Sequence, residues 1–468
     1  MKKRFTMLLT ALMLLLPACG QGAAEGSAPP PSGASALPAQ TDAPSQPAGE
    51  PAPVFAPTAT LEETVLVDEG DVKITATGLK YTAYEVKVSL TLENNTDKSL
   101  SFRSGTMGYS CNSVNGYMVG DGYLNADVAA GKKSNESVSF DIDELTLLGL
   151  TDIADIELGF DIADDQHEAY LQTGPRQLKT SAADSYDYGA DTYRAAILNG
   201  GLAKALGFTV DGDSGELQFD GKGVRVISQT LITNSSGEQA LFVEVENTTG
   251  DTVFTSVGDV AVNGLGIQSG TWSTDWVGPG KRRIVSMSLS AMLEDSQWAA
   301  FGLEQIGAVS YSFGFKDMDG DALVHPQTLT LSVPGGRSYD PSGEEVYQEN
   351  GVRIVYKGLV PDDFEYSDDI HILLLVENGS DQPLSFDIDS NSVSVNGYMT
   401  SALCYSRTVA PGGSAILDVE LADYSLEENG IAGLEDIAEV ELTFEIRDGN
   451  YKTVAEPTVT FAGKAAPQ

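Results

Sequence analysis

The sequence predicts an all-β protein: three tandem two-sheet sandwich domains behind a disordered N-terminal tether. Three observations predict it. Four short phrases recur, in the same order, three times along 468 residues. Around them apolar residues alternate with polar ones at period two, which places every apolar side chain of a strand on one sheet face. Asn, Gly and Asp punctuate these stretches often enough for about seven short strands per copy.

Taken in chain order, the first element is an address. Lys2, Lys3 and Arg4 precede an apolar stretch from Phe5 to Leu16. That stretch is shorter than the ~20 apolar residues a spanning helix needs and suits the hydrophobic region of a signal peptide. Leu16-Pro17-Ala18-Cys19 follows. It resembles the lipobox of bacterial lipoproteins, with Leu three places before the cysteine and a small residue just before it; Pro17 is a less usual occupant. The resemblance implies a signal peptide over residues 1–18 and lipid attachment at Cys19. It also implies anchorage on the extracellular face of the bacterial cytoplasmic membrane, where two acyl chains hold stably and one does not.

Residues 19–61 hold nine of the chain's 20 prolines among Ala, Gly and Ser. Such a segment has too little apolar surface to fold and is expected to be a disordered tether. As coil it would span roughly 35–40 Å.

The repeats come next. Glu-Asn with Thr or Ser two places on occurs at Glu93-Asn94, Glu246-Asn247 and Glu377-Asn378. Val-Asn-Gly occurs at 114–116, 262–264 and 395–397. Val-x-x-Gly starts at Val128, Val277 and Val409. Gly-Leu-x-x-Ile starts at Gly149, Gly302 and Gly433. The copies are expected at 62–182, 215–335 and 343–465. Between the first two, residues 183–214 form a connector in which Asp191 is expected to cap a short helix through Leu198, ended by Asn199-Gly200-Gly201.

Within each copy the alternation is direct: Val86, Val88, Leu90 and Leu92; Ile372, Leu374 and Val376; and late in the copies Ile156 to Ile162, Val309 to Phe315 and Val440 to Ile446. A sheet that is oily on one face needs a partner sheet. Asp152-Ile153-Ala154-Asp155-Ile156 and Asp436-Ile437-Ala438-Glu439-Val440 resemble the corner before strand F of immunoglobulin-like domains; the second copy departs with Gln305 and Gly307. With Asn94 to Phe102 and Asn378 to Phe386, the unit resembles the telokin-like, immunoglobulin-like modules of Gram-positive surface lipoproteins. The resemblance implies a fold and no chemistry.

Charge and composition narrow the partners. The 27 Lys and Arg face 68 Asp and Glu, for a net charge of −41. Such a surface repels nucleic acid and anionic lipid. Cys111 and Cys404 lie at non-matching places in different copies, so a bridge inside one copy is excluded; buried free thiols are expected, with a bridge between the two copies as the alternative. The histidines, His167, His325 and His371, form no His-x-x-x-His pair, and the chain has no Cys-x-x-Cys or glycine-rich phosphate loop. Gly212-Asp213-Ser214-Gly215 lacks the context of a protease nucleophile and is expected to be a turn. Asp317 to Asp321 has its Gly at the wrong place for a calcium loop and is expected to be a hairpin turn. Trp272 and Trp276 are the candidate ligand-binding residues: on one strand they would share a face and could stack on sugar rings. No catalytic residue, metal or cofactor is expected. The expected function is a non-catalytic, monomeric cell-surface scaffold or adhesion module for an extracellular protein or glycan. The alternative is a glycan- or solute-binding accessory lipoprotein that uses the aromatics of the second copy.

Overall fold

A computed structural model describes residues 55–105, 112–335, 337–362 and 367–467, apart from the side chains of Ser269 and Trp272. Cys19, the signal segment, most of the tether and Cys111 lie outside the described residues. The chain divides into two units. One comprises Met1–Val210 with Ile232–Glu238 and Gly280–Ser286; the other comprises Asp211–Leu231, Gln239–Pro279 and Met287–Gln468.

In the first unit the predicted alternation becomes strands. They are β1 (Thr64–Glu69), β2 (Val72–Tyr81), β3 (Glu85–Asn94), β4 (Leu100–Ser104), β5 (Ser113–Val114), β6 (Tyr117–Met118), β7 (Leu124–Val128), β8 (Lys132–Asp141), β9 (Asp155–Asp164) and β10 (Ala169–Lys179). One sheet has the order β1-β2-β3-β8; the other runs β6-β5-β9-β4-β7, with β10 also paired to β9. Burial alternates along all of β3, with Val86, Val88, Leu90 and Leu92 inside. After β8 comes helix α1 (Ile142–Leu147), whose cap Asp141 accepts from Asp143 N and Glu144 N. The connector carries the expected helix α2 (Thr192–Ile197), capped by Asp191. Asn199, expected to help end it, instead caps a second helix, α3 (Gly200–Leu206), because its side chain accepts from Leu202 N.

The second unit draws on both later copies. The second copy and the segment before it supply β11 (Phe208–Ser214), β12 (Phe219–Gly221), β13 (Val224–Asn234), β14 (Gln239–Asn247), β15 (Val253–Val262), β16 (Leu265–Ser273), β17 (Trp276–Val277), β18 (Lys281–Ser288), β19 (Ala308–Lys316) and β20 (Ala322–Ser332), with helix α4 (Asp295–Ala300); most of β18, the start of β11 and the end of β13 fall to the first unit. The third copy supplies β21 (Glu344–Glu349), β22 (Val352–Pro361), β23 (Ile370–Asn378), β24 (Leu384–Ile388), β25 (Ser394–Val395), β26 (Tyr398–Met399), β27 (Ala402–Cys404), β28 (Arg407–Val409), β29 (Ser414–Leu421), β30 (Glu439–Asp448), β31 (Thr453–Ala455) and β32 (Thr458–Ala462), with helix α5 (Asp423–Glu428).

The third copy repeats the strand order of the first, β21-β22-β23-β29 opposite β26-β25-β30-β24-β28. Its two sheets share one core, in which Ile372, Leu374 and Val376 meet Leu442, Phe444 and Ile446. The protein is therefore predominantly β, in sandwich-like layers, as the periodicity predicts. The copies do not all close separately, however. β16 pairs in parallel with β29 through Leu265–Ser414 and Gly266–Ala415, so one sheet runs β20-β19-β15-β16-β29-β23-β22-β21. Asp317 to Asp321 is the expected turn: Asp317 Oδ1 accepts from Asp319 N and Asp321 N, and Gly320 takes a positive φ of 87°. Gly212 to Ser214, expected in a turn, instead ends strand β11.

The recurring phrases turn out to be two hydrogen-bonded locks, each built three times. In the first, buried Asn94, Asn247 and Asn378 end β3, β14 and β23. Each Oδ1 accepts from the backbone N and the hydroxyl of the residue two places on, Thr96, Thr249 or Ser380. Each Nδ2 donates at 2.7–2.9 Å to a nearby carbonyl (Lys98, Asp251 or Gln382) and to the carbonyl of Val128, Val277 or Val409. The Glu-Asn phrase thus binds the Val-x-x-Gly phrase. In the second lock, Asn115, Asn263 and Asn396 sit at φ of 49°, 55° and 52°, a left-handed region Asn tolerates. Their Oδ1 atoms accept from two successive backbone amides, at Ala154 and Asp155, Gly307 and Ala308, and Ala438 and Glu439. Their Nδ2 atoms donate to Asp152, Gln305 and Asp436 carbonyls. The Val-Asn-Gly phrase thus binds the Gly-Leu phrase.

Candidate functional site

Strand β23, IHILLLVEN, is buried on both faces over most of its length. Its inner face joins the sandwich core; its outer face carries His371, Leu373 and Leu375, and neighbouring β22 adds Val355, Lys357 and Val360. Helix α4 packs against β22 from outside, and Phe301, just past α4, lies 5.4 Å under the Lys357 ammonium. This covered face holds two of the buried titratable groups of the second unit, His371 and Lys357.

His371 is 6 % exposed. Its Nδ1 lies 2.9 and 3.0 Å from the two carboxylate oxygens of Asp418 on β29. Asp418 also accepts from Gln297 Nε2 of α4 at 2.8 Å, and Gln297 Oε1 accepts from Glu294 N at the start of that helix. Ligand atoms of Glu294, Asp362 and His371 lie within 4.8 Å of one another. Nδ1 is engaged by Asp418, and Nε2 is buried with no hydrogen-bond partner. Burial alone would lower the His371 pKa, but the hydrogen bond and charge of Asp418, helped by Glu294 and Asp362, outweigh it and raise it to about 9. Burial, then the charge of Asp369, raises the neighbouring Glu420 carboxyl above its usual range.

The other sequence candidates fall outside the trio Glu294, Asp362 and His371. Trp272 and Trp276 fall on different strands, β16 and β17, rather than on one. Trp276 is half-buried with its ring 5.3 Å from that of Phe254. Cys404 is a half-buried free thiol whose pKa burial and the charges of Asp387 and Asp418 push up to about 12, so it stays protonated and poorly nucleophilic. His167 and His325 are exposed. An open cleft of about 750 Å³ is lined by Tyr339, Arg353, Glu377 and the turns at Gly351, Gly379 and Gly412; there Arg353 and Glu377 already pair at 2.8 Å. Among the described residues, no helix is long and apolar enough to cross a membrane.

The sequence candidates did not include Glu294, Asp362 and His371 as a group. One signal was present: a histidine inside an uninterrupted apolar strand, IHILLLV.

No protein-family model matches the chain, and no curated protein matches it. Among solved structures, it is similar to a Porphyromonas gingivalis protein of unknown function at 11 % identity, covering 49 % of this chain and 91 % of that one, with a TM-score of 0.15. A bacterial ice-binding adhesin matches at 12 % identity over 82 % and 91 % of the two chains, with a TM-score of 0.14. An Amycolatopsis orientalis exo-chitosanase matches at 8 % identity over 86 % and 79 %, with a TM-score of 0.17. Overlaps this loose carry no argument about activity.

Proposed function

We propose that this chain is a lipid-anchored, non-catalytic surface scaffold: three immunoglobulin-like sandwich copies, at 62–182, 215–335 and 343–465, held off the membrane by a Pro-rich tether. The observation that carries the proposal is the pair of asparagine locks built three times. The residues the copies share are engaged in holding turns and strand ends together, so the repetition is accounted for by rigidity and spacing rather than by a reaction. The lipobox-like Leu16 to Cys19 and the acidic composition fit a protein displayed in an aqueous extracellular layer. Its partner would be a cationic or neutral protein or glycan, since anionic polymers meet a strongly negative surface.

The test is metabolic labelling of the expressing bacterium with a tagged fatty acid. Wild-type protein should carry the label and sediment with membranes. Cys19→Ala should lose the label and appear in the soluble fraction. A Cys19→Ala protein that still carries label, or that stays membrane-bound, would overturn the anchor and with it the surface placement.

A further inference from the structure

We propose that Glu294, Asp362 and His371 bind one zinc-class divalent ion, which clips the second copy to the third. The proposal does not depend on the lipid anchor or the scaffold role. Four features of the geometry point to it. The first is convergence: ligand atoms from three separate segments, the start of α4, the residue after β22 and strand β23, lie within 4.8 Å of one another. Ligands around a tetrahedral zinc sit about 3.3 Å apart, given bonds of about 2.0–2.2 Å to nitrogen and oxygen, so small side-chain adjustments close the site.

The second feature is the orphan nitrogen. His371 is more than nine-tenths buried, and its Nε2 has no hydrogen-bond partner. A buried polar atom without a partner is costly in a folded protein, and a metal–nitrogen bond would relieve that cost. The third is the outer arrangement. The other ring nitrogen lies against the Asp418 carboxylate at 2.9 Å, and Gln297 holds Asp418 in turn. A metal-binding histidine commonly shows this pattern, because a carboxylate on one nitrogen fixes the ring and raises the basicity of the other. Asp418 would therefore be a positioning residue rather than a ligand.

The fourth feature is the donor set. One imidazole with two carboxylates suits zinc and its first-row neighbours, whereas calcium prefers six to eight oxygens and magnesium an octahedron with several waters. Three protein ligands leave a fourth position for water. Glu294 belongs to the second copy and Asp362 and His371 to the third, so the ion would add a second bond between copies that β16 and β29 join by only two residue pairs, at the far end of β29 from the residues facing His371.

The experiment uses the full chain, stripped with a chelator and then titrated with cobalt(II) and with zinc. One cobalt per chain should bind and give visible absorption of tetrahedral intensity, which stoichiometric zinc should erase and millimolar calcium should not. His371→Gln should weaken binding by about 100-fold or more. Glu294→Gln and Asp362→Asn should each weaken it by about 10–100-fold, and Asp418→Asn by about tenfold through loss of ring positioning. A His167→Gln/His325→Gln double variant should bind as the wild type does. If His371→Gln fails to fold, the two carboxylate variants carry the test, since their amides keep size and hydrogen bonding. Failure of the wild type to bind cobalt or zinc, or binding that survives the Glu294 and Asp362 variants unchanged, overturns the proposal and leaves an imidazolium ion-paired with Asp418.

Discussion

The sheet β1-β2-β3-β8 in the first unit and the sheet β21-β22-β23-β29 in the second share one strand order and differ in what covers them. In β3 the outward residues are Lys87, Ser89 and Thr91, all part-exposed. At the matching places β23 has His371, Leu373 and Leu375, all buried. On the neighbouring strand, Thr77 is exposed where Lys357 is 5 % exposed. The inner faces are alike; only the outer ones diverge. A sandwich sheet needs one covered face to fold, so its second face is free to become an interface. Where it does, polar groups caught in it must find partners inside. That is why the buried histidine and buried lysine of the second unit lie together on this face.

The largest expected effect tests the covering directly. Leu373→Asp should cost more than about 4 kcal/mol, because it places an unpaired charge in a closed apolar layer. Ser89→Asp, at the matching place in β3, should stay within about 0.5 kcal/mol. Denaturant titration of the two variants measures both; equal effects would break the comparison. The locks should show no such contrast. Asn94→Ala and Asn378→Ala each strand two carbonyls, one amide and one hydroxyl, and each should cost about 3 kcal/mol. A marked difference between them would mean that the outer cover also braces the lock. Lys357→Met comes next. The Lys357 ammonium donates to the carbonyls of Asp340 and Ser342 at 3.0 and 2.7 Å, and burial lowers its pKa even beside the Asp340 carboxylate. Losing those bonds while shedding a buried charge should leave a net cost of about 1–2 kcal/mol. Thr77→Met should be close to neutral by the same denaturant titration.

Much of this contrast was written in the sequence and only part of it was legible. The inner-face alternation of β3, β9, β23 and β30 follows from residue period alone. The outer face of β23 was also visible, since the run Ile372 to Val376 without polar interruption marks a strand buried on both sides. The recurring asparagines were legible as landmarks. Their bonding partners were not, because Asn94 reaches Val128 and Asn115 reaches Ala154 across gaps that only the folded chain closes. The cluster of Glu294, Asp362 and His371 was less legible still. It draws on two copies, and no local spacing couples residues more than 60 positions apart. The joint between β16 and β29 was hidden for the same reason: edge pairing depends on where two strands end up, and hydropathy does not report that.

The smallest expected effect concerns a titration in the first unit. Glu144 of α1 is half-buried, and its Oε1 accepts from Gly120 N at 2.9 Å. Burial, with the charges of Asp121 and Asp141 adding to it, raises its pKa to about 7. An acid whose folded pKa lies above its unfolded value of 4.5 favours folding while protonated. That contribution is complete below about pH 4.5 and disappears as pH rises through 7. Glu144→Gln keeps the acceptor and removes the charge, so it should leave stability unchanged near pH 4 and raise it at pH 8 by on the order of 1 kcal/mol, discounted for partial exposure. Hydrogen exchange in β8 and α1 should show the gain. Trp272, Trp276 and Trp298 all belong to the second unit, so tryptophan fluorescence on denaturation reports that unit alone. An unshifted fluorescence transition beside slowed exchange in α1 would show that the two units respond separately; a shift of equal size in both would show that they unfold as one.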